Sequence, residues 1–151
     1  MNNIPNDLYA KIVEHMPILC VDVLVHDGKG NVLLVKRNQE PAKGKWWFVG
    51  GRVLKGERLP DCVKRKCHEE VGLEVYNIQS LATHEFFWGI GAQGCPTHTV
   101  PLVYSAQADD LGIVQVDSTS DEFKVADADE ILFNGEYDDY VRDVLEEWLE
   151  R

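Results

Sequence analysis

Residues 51–73 carry acidic and basic side chains at spacings that suit metal-ion and phosphate chemistry. Glu57, Arg65 and Glu69 recur at multiples of four residues, so on a helix they would share one face, with Glu70 one step round. An arginine between two glutamates can hydrogen-bond to both and fix their rotamers. Adjacent carboxylates on a helix form an oxygen-rich site of the kind that binds Mg²⁺ or Mn²⁺. The alternative is that these charges form only a solvated helix face.

A helix is predicted to carry these groups. Between Glu57 and Val71 there is no glycine, apolar residues recur near helical spacing, and Pro60 is tolerated in a first turn. Gly72 then ends the helix as a C-terminal cap. The glycine-rich turn before the helix would deliver the chain into it.

The rest of the chain alternates strand and helix patterns. The predicted elements are a helix capped by Asn6 or Asp7 and ending at His15, an antiparallel hairpin over residues 18–37 with its turn at 28–31, a short strand over 46–51, strands over 73–89 and 98–108, a short strand over 122–126 and a closing helix over 136–151. The sequence has no repeat or linker. It therefore predicts one α/β domain over residues 1–151, with a mixed sheet and flanking helices.

The composition excludes several functional classes. The 151 residues include 15 Lys plus Arg against 26 Asp plus Glu, a net charge of −11. So acidic a chain is unsuited to nucleic acid or an anionic membrane, and an anionic small molecule would need local arginines or a metal ion. No run of about 18 apolar residues and no signal-peptide pattern occurs, and the four cysteines lack metal-site spacing, so we expect a cytoplasmic protein with reduced thiols.

The segment over residues 51–73 resembles the Nudix box, GX5EX7REUXEEXGU with U aliphatic. The matching positions are Gly51, Glu57, Arg65, Glu69, Glu70, Gly72 and Leu73. The resemblance implies a Nudix hydrolase fold, which is an α/β/α sandwich. It also implies action on a nucleoside diphosphate linked to another group, with Mg²⁺ as cofactor and Mn²⁺ as the alternative ion.

The resemblance further implies roles inside the box. Glu69 and Glu70 would be catalytic metal ligands. The backbone carbonyl of Gly51, or of the glycine before it, would add a ligand. Glu57 and Arg65 would be structural and would hold the loop to the helix.

The chain departs from the box at Lys66, where the family has a glutamate that commonly binds metal or helps to activate water. A protonated ammonium does neither. Two interpretations stay open. Lys66 occupies the space of a second or third metal and leaves a one-metal site, or it forms a surface ion pair with Glu70 worth about 0.3–0.5 kcal/mol.

Residues 17–53 look like the GDP-mannose mannosyl hydrolase branch of the Nudix family, on the basis of Asp22, Arg37 and the segment PAKGKWWFVGGRV. In that branch the reaction displaces at the anomeric carbon of the sugar and releases GDP. The resemblance implies that Arg37 and Arg52 act as catalytic groups that hold the diphosphate. It also makes Asp22 and Tyr104 candidate substrate contacts.

That branch uses a Gln-His pair in a late loop, and residues 116–131 contain no histidine. Substitute general bases are Asp117, Asp121 or Glu122 in this loop, or the paired box glutamates. His98, next to a glycine-containing loop, is a further candidate substrate contact. A second set of candidates is aromatic, and we expect most of them in the core and one to stack on the substrate: Trp46, Trp47, Phe86, Phe87 and Trp88.

These observations predict a Mg²⁺-dependent Nudix hydrolase of a nucleoside diphosphate derivative, with a small nucleotide sugar such as GDP-mannose as the leading substrate. One competing hypothesis is a MutT-like pyrophosphatase of nucleoside triphosphates or dinucleotides. Another is a Nudix-fold module that binds nucleotides without catalysis. The apolar stripe of the closing helix is either a homodimer surface or, more simply, the face that docks on its own sheet.

Overall fold

A computed structural model describes residues 4–151, so residues 1–3 of the predicted domain 1–151 lie outside the described part. Helices and strands alternate along it. In chain order they are α1 Asn6–His15, β1 Ile18–His26, β2 Asn31–Arg37, β3 Trp46–Trp47, β4 Val49–Arg52, α2 Leu59–Val71, β5 Tyr76–Thr83, β6 Phe86–Trp88, β7 Thr97–Gln107, β8 Ser120–Asp127, α3 Ala128–Leu132 and α4 Asp139–Leu149.

The eight strands form one mixed sheet with β1 at its centre. Its main path runs β3-β2-β1-β7-β5, while β4 pairs with β1, β6 with β7 and β8 with β2. The β1–β7 pair is parallel along its whole length, and the other pairs are antiparallel. Among residues 4–151, no helix combines the length and hydropathy needed to cross a bilayer.

Side chains pack on both faces of the sheet, which confirms the α/β/α sandwich. On one face α2 contributes to a core that includes Val21, Val23, Val49, Cys62, Val63, Cys67 and Val71. On the other face α3 and α4 contribute to a core that includes Leu24, Leu34, Phe48, Ile131, Val141, Val144 and Leu145. The apolar stripe of α4 is therefore explained by docking on its own sheet, and the homodimer prediction stays untested.

The predicted strand over 46–51 is two strands, because the chain changes partner at the fully buried Phe48. Before it, β3 pairs with β2; after it, β4 pairs with β1. The hairpin of β1 with β2 is correspondingly short: those two strands pair beside the turn, at Val25 and His26. The first half of β1 pairs with β4 instead, which sets Asp22 opposite Gly50.

Several predicted boundaries also shift. The helix α2 begins at Leu59 and ends, as predicted, at Gly72, which has a left-handed conformation with φ of 69°. Glu57 therefore lies before the helix and does not share its face. Pro5, without a side-chain cap, precedes α1 in place of the predicted Asn6 or Asp7 cap. The predicted strand 73–89 is interrupted between β5 and β6, and α3 was not predicted.

Candidate active site

Arg65 joins the start of α2 to the loop that precedes it. Its Nε donates to Glu57 Oε1 at 2.6 Å and its Nη2 to Glu57 Oε2 at 3.0 Å. It also donates to the Arg52 carbonyl at 3.1 Å and to Glu69 Oε2 at 3.2 Å. The contacts expected of an arginine between two glutamates are thus present, although Glu57 reaches Arg65 from outside the helix. Hydrogen bonding from Arg65 lowers the pKa of Glu57 to about 2.

Glu70 reaches from α2 to the backbone of β4. Its Oε2 accepts from the Gly50 N–H at 3.3 Å and its Oε1 accepts from Lys66 Nζ at 2.9 Å. Glu69 Oε2 lies 3.5 Å from the same Lys66 ammonium. Burial raises the pKa of Glu70, against the opposing effect of Lys66. The two carboxylates predicted as metal ligands thus converge on one cation, and that cation is a side chain.

Gly51 makes this arrangement sterically feasible. A Cβ at Gly51 would lie 2.6 Å from Lys66 Cε, and the glycine has φ of 159°. The aliphatic stem of Lys66 therefore lies directly against the β4 backbone. Any larger residue at this position would push the ammonium away from Glu70.

Two carboxylates and nearby backbone carbonyls are hard oxygen donors that fit one Mg²⁺, which in phosphate-processing sites typically takes one or two carboxylates plus substrate phosphates. Within residues 4–151, however, His, Cys, Asp and Glu side chains form no cluster of three that could hold a metal ion by themselves. The residues therefore fit a single ion that takes its other ligands from substrate and water. Glu69 and Glu70, with the carbonyl of Gly51, would hold it.

A cavity of about 180 Å³ opens on the α4 face of the sheet, beside the same β4 backbone. Its lining includes Tyr9, Cys20, Asp22, Arg37, Trp47, Gly50, Gly51, Arg52, Phe86, Trp88, Thr97 and Thr99. Three predicted substrate contacts, Asp22, Arg37 and Arg52, are thereby brought together. Gly50 and Gly51 join this cavity to the box, because both line the cavity, the Gly50 N–H donates to Glu70, and Gly51 lies against Lys66.

Each of the two arginine side chains at the cavity is positioned by one contact with the protein. Arg37 Nε donates to the Pro41 carbonyl at 2.7 Å, and its Nη groups have no protein acceptor within residues 4–151. The Arg52 guanidinium lies over the Tyr9 ring, 4.5 Å from its centroid. Such forked donors suit the oxygens of a diphosphate.

Three of the five candidate aromatic residues form one wall of the cavity. Phe86 stacks on Trp88 with ring centroids 4.8 Å apart, and Trp47 lies 6.0 Å from each. Trp46 instead lies beside the Lys36 and Lys124 ammonium groups, outside the cavity lining. Phe87 is 76% exposed on the other side of its strand.

The structure does not bring His98 or Tyr104 to this cavity. Thr97 and Thr99 line it, so the alternation of β7 turns His98 to the opposite face. There His98 stacks on Phe87 at 4.5 Å and its Nε2 lies 2.8 Å from Glu85 Oε1. Tyr104 is buried in the core beneath α2. Neither residue lines this cavity.

Asp22 forms the polar floor of the cavity. Its Oδ2 accepts from the Tyr140 hydroxyl at 2.6 Å. Burial raises the pKa of Asp22 to about 6, against the opposing effects of Tyr140 and Arg37. Asp22 was a predicted substrate contact, whereas Tyr140, which lies in the apolar stripe of α4, was not a predicted site residue. A hydroxyl-bearing aromatic residue among aliphatic stripe positions was the available signal.

Asp22→Asn is expected to raise the free energy of unfolding at pH 8 by up to about 3 kcal/mol. The carboxyl has a pKa of about 6 in the fold against an ordinary value of 3.8. Stability from the protonated form is therefore present below pH 3.8 and lost as pH rises through about 6, whereas asparagine stays neutral. Urea denaturation at pH 3.5 and pH 8 checks this. Equal stability differences at both pH values would contradict it.

Of the three candidate bases predicted in a late loop, Asp117 lies in the loop before β8 and its backbone contacts that of Glu70, whereas Asp121 and Glu122 lie in β8 itself. The Asp117 N–H donates to the Glu70 carbonyl at 2.9 Å, and the charge of Asp117 contributes to raising the pKa of the Glu70 carboxyl after the larger effect of burial. Asp121 instead accepts from Asn38 at 3.3 Å, and Glu122 pairs with Lys36 at 3.4 Å.

A family model described as NUDIX domain matches residues 16–147. The chain is 33% identical over 124 residues to the low-salt glycan biosynthesis protein Agl8 of Haloferax volcanii, covering 81% of this chain and 78% of that one. It is 30% identical over 95 residues to the NAD-capped RNA hydrolase NudC of Stutzerimonas stutzeri, covering 59% of this chain and only 34% of that one.

Solved structures share the fold. A MutT protein from Methanosarcina mazei Go1 superimposes with a TM-score of 0.72 at 24% identity, covering 90% of this chain and 96% of that one. The NUDIX domain of Shewanella oneidensis NrtR, solved with ADP ribose, gives a TM-score of 0.70 at 24% identity and covers 94% and 97%. At this identity the likeness is one of architecture.

Proposed function

Because this chain belongs to the NUDIX domain family, we propose that it is a divalent-metal-dependent hydrolase of a nucleotide sugar. Glu69 and Glu70 hold the metal, and Arg37 and Arg52 hold the diphosphate. Agl8, by its name a protein of glycan biosynthesis, supports an activated sugar as the substrate class. NudC, by its name a hydrolase of NAD-capped RNA, supports hydrolysis next to a nucleoside diphosphate.

The single observation that carries the proposal is the size and lining of the cavity beside β4. Its 180 Å³ is close to the roughly 150 Å³ that encloses one benzene ring and well below the roughly 300–1,000 Å³ of pockets that enclose whole ligands. One ring therefore enters, and the rest of the substrate lies outside it. The Asp22 carboxyl and the hydroxyls of Thr97 and Thr99 suit the hydroxyl groups of a sugar ring.

The reaction then follows from the positions of these groups. A divalent ion supplies positive charge to the leaving diphosphate. Arg37 and Arg52 at the cavity donate to its oxygens as charge accumulates on them. The oxygen of water bonds to the anomeric carbon, the bond from that carbon to the diphosphate oxygen breaks, and a carboxylate takes the proton of water. The products are the free sugar and a nucleoside diphosphate.

Asp117→Asn is expected to lower kcat about a hundredfold and to change KM less than threefold, because Asp117 is the one candidate base within residues 116–131 whose charge acts on the Glu70 carboxyl. Steady-state kinetics on the preferred nucleotide sugar measure this. Asp121→Asn is the matched control, since Asp121 bonds to Asn38. Equal kcat values for the Asp117 and Asp121 variants would instead assign the role of general base to Glu69 or Glu70.

The proposal is tested by hydrolysis of nucleotide sugars, dinucleotides and nucleoside triphosphates in ¹⁸O water with Mg²⁺ or Mn²⁺, with products read by mass spectrometry. We expect the label in the sugar and a nucleoside diphosphate as the second product. Label in a phosphate, with a nucleoside monophosphate released, would establish the pyrophosphatase alternative instead.

One observation favours a second candidate, a module that binds nucleotides without hydrolysis. Lys66 contacts both box carboxylates, and an ion pair satisfies them without any metal. Such a module would bind a nucleoside diphosphate in isothermal titration and turn over none of the panel above. Turnover that disappears on chelation of the metal would exclude it.

A further inference from the structure

Lys66 is held more firmly than a surface lysine in an i,i+4 ion pair. Its side chain is 16% exposed and that of Glu70 is 11% exposed. It contacts carboxylates on two residues, at 2.9 Å and 3.5 Å. Its stem lies against Gly51, where even one Cβ atom would collide with it. The value of about 0.3–0.5 kcal/mol typical of exposed pairs therefore does not describe this group.

We propose that the Lys66 ammonium is a built-in cation seated between Glu69 and Glu70, so that a divalent ion binds these carboxylates only by displacing it. The proposal rests on the proposed function only for the nature of the substrate. In the free enzyme Lys66 already balances part of the charge of the two carboxylates, and the affinity of the site for Mg²⁺ is low. The substrate diphosphate brings the ion with it and supplies the ligands that the protein lacks.

Electrostatics explain why displacement is needed. A divalent ion that coordinates both carboxylates would lie close to the Lys66 nitrogen, which is 2.9 Å from one of the same oxygens. Repulsion between unit charges at such distances amounts to several kcal/mol near a protein surface. The Lys66 ammonium therefore competes with the ion for the same carboxylate oxygens.

A bound diphosphate changes the competition between the Lys66 ammonium and a divalent ion for the two carboxylates. Its oxygens add negative charge beside the site, and they offer the displaced ammonium a new partner. In this arrangement Lys66 moves from the carboxylates to the phosphates when the ion arrives. Lys66 is then a specificity-determining residue, because it makes metal binding conditional on an anionic substrate.

Mn²⁺ binding measured by electron paramagnetic resonance, without substrate turnover, tests the proposal. Lys66→Met keeps an apolar stem against Gly51 and removes the charge. We expect it to bind Mn²⁺ at least about tenfold more tightly than the wild type. Lys64→Met is the matched control: Lys64 is exposed on the same helix and forms no ion pair within residues 4–151. Equal Mn²⁺ affinities of the Lys66 variant and the wild type would overturn the proposal.

A second measurement needs no variant. In wild-type protein with ¹⁵N-labelled lysine, the buried Lys66 ammonium should give a signal protected from solvent exchange. A nucleoside diphosphate with Mg²⁺ should shift that signal, because the ammonium exchanges carboxylate partners for phosphate oxygens, and Mg²⁺ alone at about 1 mM should not. An unshifted signal at saturation with both would overturn the proposal. Both experiments observe binding, so their outcomes stand whether or not the protein hydrolyses a nucleotide sugar.

Discussion

Glu70→Gln is expected to lower kcat about a thousandfold and to leave the fold intact. Glutamine retains an oxygen that can accept from the Gly50 N–H, the contact that ties α2 to β4. It removes the charge that balances Lys66 and that would hold a metal ion. The loss should therefore appear in turnover and in Mn²⁺ binding. Stability should fall as well, because the buried Lys66 ammonium keeps only Glu69 as a carboxylate partner, at 3.5 Å.

Steady-state kinetics and thermal unfolding of the same preparations check this result. Glu74→Gln is the matched control, because Glu74 lies just beyond the end of α2 and pairs there with the exposed His68. A Glu70 variant that keeps more than a tenth of wild-type kcat would remove Glu70 from the reaction. It would return the role of ligand and base to Glu69 and the late loop.

Arg65→Met is expected to lower the free energy of unfolding at pH 7 by about 3 kcal/mol. Arg65 and Glu57 are 22% and 13% exposed at the side chain, so methionine would leave the Glu57 carboxylate without its partner in a largely desolvated site. The Arg52 carbonyl and Glu69 would lose donors as well. The loop between β4 and α2 should loosen, and substrate affinity should fall with it.

The pH dependence of this stability loss tests whether its cause is the unpaired Glu57 carboxylate. The pKa of Glu57 is held at about 2 in the fold against an ordinary value of 4.5. Its stabilising effect is therefore complete above pH 4.5 and is lost as pH falls through about 2. The difference between wild type and Arg65→Met should shrink over that interval in denaturant titrations, whereas the exposed Arg58→Met should differ little at any pH. A constant difference would assign the loss to packing.

The sequence predicted those features of the fold that depend on residues close together in the chain, such as the ends of helices. Gly72 marked the end of α2 because only a residue that tolerates positive φ fits there. The division of the strand at Phe48 could not be predicted in this way. It depends on which strands flank the chain in space, and β2 and β1 are both distant from it along the sequence.

The same limit explains why two of the candidate substrate contacts lie away from the cavity. Central strands that are buried on both faces lack polar and apolar alternation, so the sequence of β7 could not tell which face Tyr104 occupies. His98 was predicted as a contact because it lies near a loop. Side chains alternate along β7, so Thr97 and Thr99 face the cavity and His98 between them faces away from it. Asp22, Arg37 and Arg52 meet at the cavity as the resemblance to known enzymes implied.

The hydrogen bond from Tyr140 to Asp22 joins the last helix to the first strand across 118 positions of the chain. The box that would carry the hydrolytic chemistry ends at Leu73, far upstream of that helix. A nascent chain therefore completes its candidate metal ligands long before it completes the floor of its ring-binding cavity. Substitutions around Tyr140 would therefore change the shape of the candidate ring-binding cavity and leave every residue of the box in place. The candidate determinants of ring selectivity and of bond cleavage thus lie in separate segments of this one domain.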